Sequence, residues 1–260
     1  KGIFGMEKIC KNNDYKVVHS HLTTLSAFCL SAAAHAKVPV RICHAHSTFN
    51  RHSDHYLAKK LLRPFAADNA THIMACSKHA AENIFGKNAG KAIILPDAIE
   101  LDKFRSDENM YAAARKKLGL RGKAVLFVGR FVFQKNIPLL VHAFAKAAQK
   151  EDVTLVLIGD GEERHSIISL INELNINDKV RLISPSDPSE WYKAADVFCL
   201  PSRYEGLGMA AIEAQAAGLK CLLSQNVPKE TSTICQGNTK WGAAAGWGRR
   251  RHTTPPAALR

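Results

Sequence analysis

Two carboxylates eight positions apart, Glu205 and Glu213, bracket the segment Glu205-Gly206-Leu207-Gly208-Met209-Ala210-Ala211-Ile212-Glu213. The apolar run Val197-Phe198-Cys199-Leu200 precedes it and reads as a buried strand, and the residues after the glycines read as a helix. Such a strand–turn–helix unit presents the free N–H groups of the helix start beyond the strand end, where they favour an anion. Gly206 and Gly208 let the backbone approach that anion closely. An acid inside the helix, Glu213, can accept hydrogen bonds from sugar hydroxyls, so the unit suits a ligand that is part phosphate and part carbohydrate. A matching pair of cations stands upstream. Arg130 closes the run Val128-Gly129-Arg130, and Lys135 follows five residues later, before a helix. The flat guanidinium fork and the point charge of the ammonium can converge on one diphosphate. Taken alone, they are two surface cations on a loop; taken with Glu205 and Glu213 on the same sheet edge, they form a site.

Two H-x-H pairs, His19/His21 and His44/His46, each follow a strand-like run in the first hundred residues. Ligands of open α/β sheets sit beyond the carboxyl ends of the strands, so all four imidazoles are expected toward a cleft. Metal binding is the rival reading. It ranks low here because no carboxylate or cysteine stands near at ligand spacing, and the expected metal set is none. Gly159-Asp160-Gly161-Glu162 follows a strand but is not G-x-G-x-x-G, and it is given no dinucleotide meaning.

The elements that must position these residues alternate. Residues 15–19, 39–43, 72–76 and 92–95 read as strands and 24–36, 54–67 and 78–85 as helices, with Ser77 as an N-cap. Residues 96–104 read as a crossing into a second α/β unit. Its strands are 124–128, 153–158, 180–183, 197–200 and 220–224, and its helices include 111–118, closed by Gly119, and 162–174. The fold class is α/β with two Rossmann-like, doubly wound parallel sheets. The expected division is 1–100, 101–231 and a tail, 232–260, read as disordered or frameshifted.

The formal charge of +13 comes partly from that tail, which holds Lys240, Arg249, Arg250, Arg251 and Arg260 and no acid. The remaining cations are not interleaved with aromatics, so nucleic acid is a poor partner; a basic, membrane-facing surface stays open. Seven cysteines without a C-x-x-C pair read as reduced, buried thiols of a cytoplasmic protein. The opening Lys1-Gly2-Ile3-Phe4-Gly5 has neither Met nor an apolar leader core, so the chain is expected to start inside a longer gene.

With Pro201-Ser202-Arg203-Tyr204 before it and Ala214-Gln215-Ala216-Ala217-Gly218 after it, the E-x7-E segment resembles that of retaining glycosyltransferases of family 4, of the two-domain GT-B fold, and most of all the bacterial enzymes of capsular and exopolysaccharide assembly. The resemblance runs from about Asp14 to Thr231. It implies transfer of a hexose-type sugar, most simply from a UDP-sugar, to a polysaccharide or lipid-linked glycan with retention of configuration. The nucleotide sugar is then a substrate, no cofactor is needed and catalysis is metal-independent. It implies that Arg130 and Lys135 hold the diphosphate, that Glu213 accepts from the ribose, and that Glu205 lies near the transferred sugar. Backbone N–H groups of Gly206, Leu207, Gly208 and Met209 would meet the sugar or distal phosphate, and the loop from Ile183 would read the base. Among the histidines it singles out His46 as the one touching sugar or acceptor, with His44, His19 and His21 as further acceptor-side candidates. It implies a cytoplasmic protein, free or peripheral on the inner face of the membrane. Asp97-Ala98 stands where the family has Asn-Gly, and loss of that glycine is expected to strain the turn. Both sheets are expected to be incomplete, the chain being truncated at each end. The alternatives are a non-catalytic remnant of the same fold and, behind it, a basic nucleic-acid-binding protein.

Overall fold

The computed structural model of the chain describes residues 2–49, 51, 55–232 and 239–240. It contains two compact units, residues 1–97 with 205–207 and residues 98–204 with 208–260.

The first unit is a four-stranded parallel sheet in the order β1–β2–β3–β4, with β1 Val17–Ser20, β2 Val40–Ala45, β3 His72–Ala75 and β4 Ile93–Ile94. Helix α1 (Gly2–Asn12) packs on α2 (Ser26–His35), whose Leu30, Ala32 and Ala33 are buried. Small side chains on α2 let it lie close against the sheet. Helix α3 spans Tyr56–Leu62 and passes into a 3-10 turn at Arg63–Phe65, where Pro64 cannot continue an α-helical ladder. Asp54, the expected start of that helix, lies outside the described residues. Helix α4 (Lys78–Phe85) starts as expected: Ser77 is extended and its Oγ accepts from Ala80 N at 3.0 Å.

The second unit is a six-stranded parallel sheet in the order β10–β9–β8–β5–β6–β7. The strands are β5 Lys123–Val128, β6 Val153–Ile158, β7 Val180–Ile183, β8 Val197–Leu200, β9 Lys220–Leu223 and β10 Thr239–Lys240. The helices are α5 Leu101–Phe104, α6 Glu108–Leu118, α7 Ile137–Ala147, α8 Arg164–Glu173, α9 Ser189–Ala194 and α10 Met209–Ala216. Strands β5 and β6 are buried along almost their whole length, as strands covered on both faces must be. Ile137, Leu140, Val141 and Phe144 form the buried face of α7. Gly119 closes α6 in the left-handed region, φ +59°.

The observed elements correct several expectations. Helix α1 carries no acid in its first turn and begins with glycine, so it gave no start signal. Strand β2 runs on to Ala45 and takes His44 into the ladder. Helix α8 starts at Arg164 rather than 162. Ala98 does not adopt positive φ, so the turn lacking the family's glycine carries no left-handed residue there. The second sheet gains a sixth strand, because Thr239 and Lys240 pair in parallel with Leu222 and Leu223. The rest of the 232–260 segment lies outside the described residues beyond Ser232, and its expected disorder with it.

The Gly159–Gly161 turn has a packing role. Gly159 sits at φ +149°, and a Cβ there would run into the carbonyl oxygen of Gly129 and the ring of Phe131. Phe131 N donates to Asp160 O at 2.8 Å and Glu163 N to Phe131 O at 2.9 Å, so the loops leaving β5 and β6 are laced together. Gly159→Ala is expected to lower stability by about 3 kcal/mol, read as a fall in the urea midpoint at unchanged m-value.

Candidate functional site

Strand β5 ends at Val128, and Gly129 and Arg130 carry the chain beyond its carboxyl end. A 3-10 turn at Phe133–Lys135 follows, and Asn136, at φ +51°, turns the chain into α7. This loop is pinned to the one leaving β8, the neighbouring strand. Arg203 N donates to Gln134 O at 2.8 Å, and Gln134 Nε2 donates to Tyr204 O at 2.9 Å. Arg203 Nε donates to Phe133 O at 3.2 Å while its guanidinium lies 4.3 Å over the Phe133 ring. The Arg130–Lys135 loop and the approach to the E-x7-E segment are thereby held at one end of two adjacent strands. The stem of Lys135 passes over Gly129, its Cε 3.5 Å from where a Cβ would stand. Arg130 is exposed and makes no ion pair among the described residues.

Gly208, at φ +80°, opens α10 without a side-chain cap, so the helix start keeps the positive end of its dipole free of local neutralisation. Glu213 lies one turn further on. Its Oε2 accepts from the Tyr192 hydroxyl at 2.9 Å. Tyr192 is fully buried, with Phe104 edge-on at 5.7 Å and Phe198 at 5.8 Å. Burial raises the Glu213 pKa above the ordinary carboxylate value; the Tyr192 hydrogen bond and the charge of Lys103 pull against it, and Asp187 adds to it. Lys103 is itself paired with Asp187 at 3.2 Å. Burial, then the charge of Glu213, drives the Tyr192 hydroxyl far above its ordinary value. Sequence reasoning missed Tyr192 and Lys103. No local pattern marks them, since one stands on α9 and the other on α5.

A carboxyl whose folded pKa exceeds the unfolded value of 4.5 binds more protons in the native state, so stability falls as pH rises from 4.5 through the folded pKa. Glu213→Gln is expected to flatten that limb of the stability–pH curve, measured by urea unfolding in steps from pH 4 upward.

Ile183 ends β7 at the sheet edge, two strands from β5, and its carbonyl accepts from Gly159 N at 3.0 Å. Glu205 is buried, 5% exposed, and residues 205–207 count with the first unit. There Ser77 Oγ donates to Gly206 O at 2.5 Å and Thr48 Oγ1 to Glu205 O at 3.4 Å. Glu205 stands four residues ahead of α10, outside its first turn.

The four histidines come together within the first unit. Residues two apart on a strand share a face. The β1–β2 ladder pairs His19 with Ile42, so 19 and 21 stand on the same face as 44 and 46. His19 Nε2 lies 3.2 Å from His44 Nδ1, and His21 Nδ1 lies 2.6 Å from His46 Nε2. His46 Nδ1 is 2.7 Å from Asp97 Oδ1. With that proton donated to Asp97, Nε2 is an acceptor and His21 Nδ1 donates to it. His44 is buried, and its pKa falls to about 4; burial leads, then the charges of His46, His19 and His21, with Asp97 opposing. Burial, then His21 and His46, lowers His19 as well. His44 thus sits inside a strand rather than in the open. The ground for ranking metal low, the want of a nearby carboxylate, does not hold, because Asp97 stands beside the cluster.

Comparison with known proteins places this geometry. The model for glycosyl transferases group 1 matches residues 111–246, and that for Glycosyltransferase Family 4 matches residues 1–103. The first match reaches fifteen residues past Thr231, the expected limit of the resemblance. HepE of Anabaena, solved in complex with UDP-glucose, superposes with a TM-score of 0.78 at 17% identity, covering 92% of this chain and 68% of that one. The UDP-Gal:alpha-D-GlcNAc-diphosphoundecaprenol alpha-1,3-galactosyltransferase of Escherichia coli is 30% identical over 86% of this chain and 61% of its own. The amylovoran biosynthesis glycosyltransferase AmsD of Erwinia amylovora is 36% identical over 38% of this chain and 28% of its own. The fold is the two-sheet α/β architecture of GT-B glycosyltransferases. The chain belongs to the glycosyl transferases group 1, with a family 4 segment ahead of it. It spans about three fifths of the length of the first two curated relatives, 60% and 61%.

Proposed function

We propose that the chain carries the donor-binding unit and the acceptor-side histidines of a retaining glycosyltransferase. It moves a hexose-type sugar from a nucleotide-sugar donor, a UDP-sugar, to a polysaccharide or lipid-linked glycan. The observation that carries this reading is the lacing of the Arg130–Lys135 loop to residues 201–204, which fixes two cations at one sheet end with the uncapped start of α10 behind residues 205–207. Arg130 and Lys135 bind the diphosphate and stabilise the charge that grows on it as the sugar departs, so the leaving group needs no metal. Glu213, half-buried and aligned by Tyr192, accepts from the ribose hydroxyls. Glu205 and the N–H groups of Gly206, Leu207, Gly208 and Met209 serve the sugar and distal phosphate, and the loop after Ile183 serves the base. His46, oriented by Asp97 at Nδ1 and by His21 at Nε2, serves the sugar or acceptor. HepE in complex with UDP-glucose and the relative named for UDP-Gal support the uridine donor, and AmsD and the undecaprenol-linked relative support a glycan acceptor.

Peripheral membrane association belongs to the same reading. Helix α3 exposes Leu57 by 73% and Leu61 by 72% beside Lys59 and Lys60. Among the described residues no helix is long and apolar enough to cross a membrane. A panel of radiolabelled UDP-hexoses with undecaprenyl-diphosphate-linked sugars tests the activity. Transfer with retained anomeric configuration is the expected result, and donor binding without transfer across the panel would support the non-catalytic alternative.

A further inference from the structure

The four-histidine cluster of the first unit holds more donor nitrogens than one sugar contact uses. One ring nitrogen from each of His19, His21 and His44 lies within 4.8 Å of the other two. Nitrogens bound tetrahedrally to a zinc ion at about 2.1 Å stand about 3.4 Å apart. His19 and His44 are at 3.2 Å already, so small side-chain rotations close the set. Neighbouring strands fix the rings: β1 carries His19 and leads into His21, and β2 carries His44. His19 and His44 lie within laddered strands, and His21 follows the last ladder position of β1, Ser20; sites on strands hold geometry better than sites on loops.

One further observation points to a ligand. His44 is 4% exposed, its Nδ1 meets only His19 Nε2 of the cluster and its Nε2 has no hydrogen-bond partner, so this buried ring has no polar partner outside the cluster among the described residues. His46, outside the set, is held on Asp97 at 2.7 Å. His19 and His21 are exposed, which leaves an entry path from solvent.

We infer that His19, His21 and His44 form a three-imidazole site for a borderline divalent transition-metal ion of the zinc class, with the fourth position open to solvent. Imidazole nitrogens select zinc, copper or nickel over magnesium and calcium, which take oxygen ligands. All three ligands are residues of the first unit. The ion would compete with the hydrogen bonds among the rings and fix His19 and His21 in place, leaving His46 on Asp97.

The test is equilibrium dialysis of the full chain, reduced and metal-stripped, against Zn(II) alone, with Mg(II) in parallel and Co(II) for its absorption spectrum. One equivalent of Zn(II) and none of Mg(II) is expected. His19→Ala and His21→Ala, both at exposed rings, are each expected to weaken Zn(II) binding at least about 100-fold, while His142→Ala on α7 leaves it unchanged; unaltered far-UV circular dichroism confirms that the variants fold. No stoichiometric Zn(II) uptake by the wild type would overturn the site. So would wild-type affinity in both histidine variants, or a thiolate charge-transfer band with Co(II), which would put the ion on one of the free cysteines.

Discussion

Glu213→Ala is expected to lower the affinity of the chain for UDP by about 100-fold or more. The carboxylate is assigned two ribose hydroxyls, and a charge-assisted hydrogen bond contributes about 1.5–3 kcal/mol. Each 1.4 kcal/mol is a factor of ten, so loss of one good bond and weakening of a second reaches that magnitude. The substitution also takes away the group to which Tyr192 donates, inside a pocket closed by Phe104 and Phe198. A stability loss of about 1–3 kcal/mol accompanies that change. Glu213→Gln separates the two effects. The amide keeps an acceptor for Tyr192 and much of the packing, but it loses the charge that strengthens the ribose contacts. Titration calorimetry with UDP on the three proteins should therefore rank wild type above Gln above Ala in affinity, while urea midpoints place Gln nearer to wild type.

Lys135→Ala is expected to be the second large effect, with UDP binding weakened by about 10- to 100-fold. On the proposed role, turnover is expected to fall further than binding, because charge on the diphosphate grows as the sugar leaves. The stem of Lys135 lies over Gly129. Lys135→Arg is not expected to restore function, since a broad planar guanidinium replaces a compact point charge on a slim stem. Fluorescence competition with a uridine nucleotide checks the binding arm. Unchanged affinity in both Lys135→Ala and Glu213→Ala would remove the donor site from these residues.

Much of this architecture was legible in the sequence, and the reasons are local. The apolar runs at 124–128, 153–158 and 197–200 are strands because they are short, β-branched and bounded by turn residues. Ser77 reads as an N-cap and Gly119 as a C-cap because capping depends on one residue and its near neighbours. The cations at 130 and 135 and the two acids fall where strand–turn–helix chemistry places them. What was not legible depends on register and on distant partners. Each H-x-H pair announces one face of one strand, but the convergence of the two pairs needs the β1–β2 ladder, with its offset of 23 residues between Val17 and Val40. Asp97 reaches His46 across 51 residues, and Tyr192 reaches Glu213 from another helix. Residues 205–207 pack with the first unit although the chain around them belongs to the second, which no composition shift marks. Strand β10 is two residues long, and only its partner β9 defines it.

The Gly159–Gly161 turn shows the same division. Its glycines lack the dinucleotide spacing, and they give clearance to the backbone of the β5 loop. That clearance lets Gly129 and Phe131, on either side of Arg130, pack against the loop after β6. A structural glycine pair thus underlies a binding loop that contains neither residue.

Donor binding is read most simply from a thermal melt of the chain with and without excess UDP. At about 100 times its dissociation constant, a ligand that binds only the folded state adds about 2.7 kcal/mol. One cooperative transition of the second unit is expected, moving upward with UDP in the wild-type chain and staying in place with UDP in Glu213→Ala and Lys135→Ala. A cooperative melt that millimolar UDP leaves unmoved in the wild-type chain would contradict the proposed donor site.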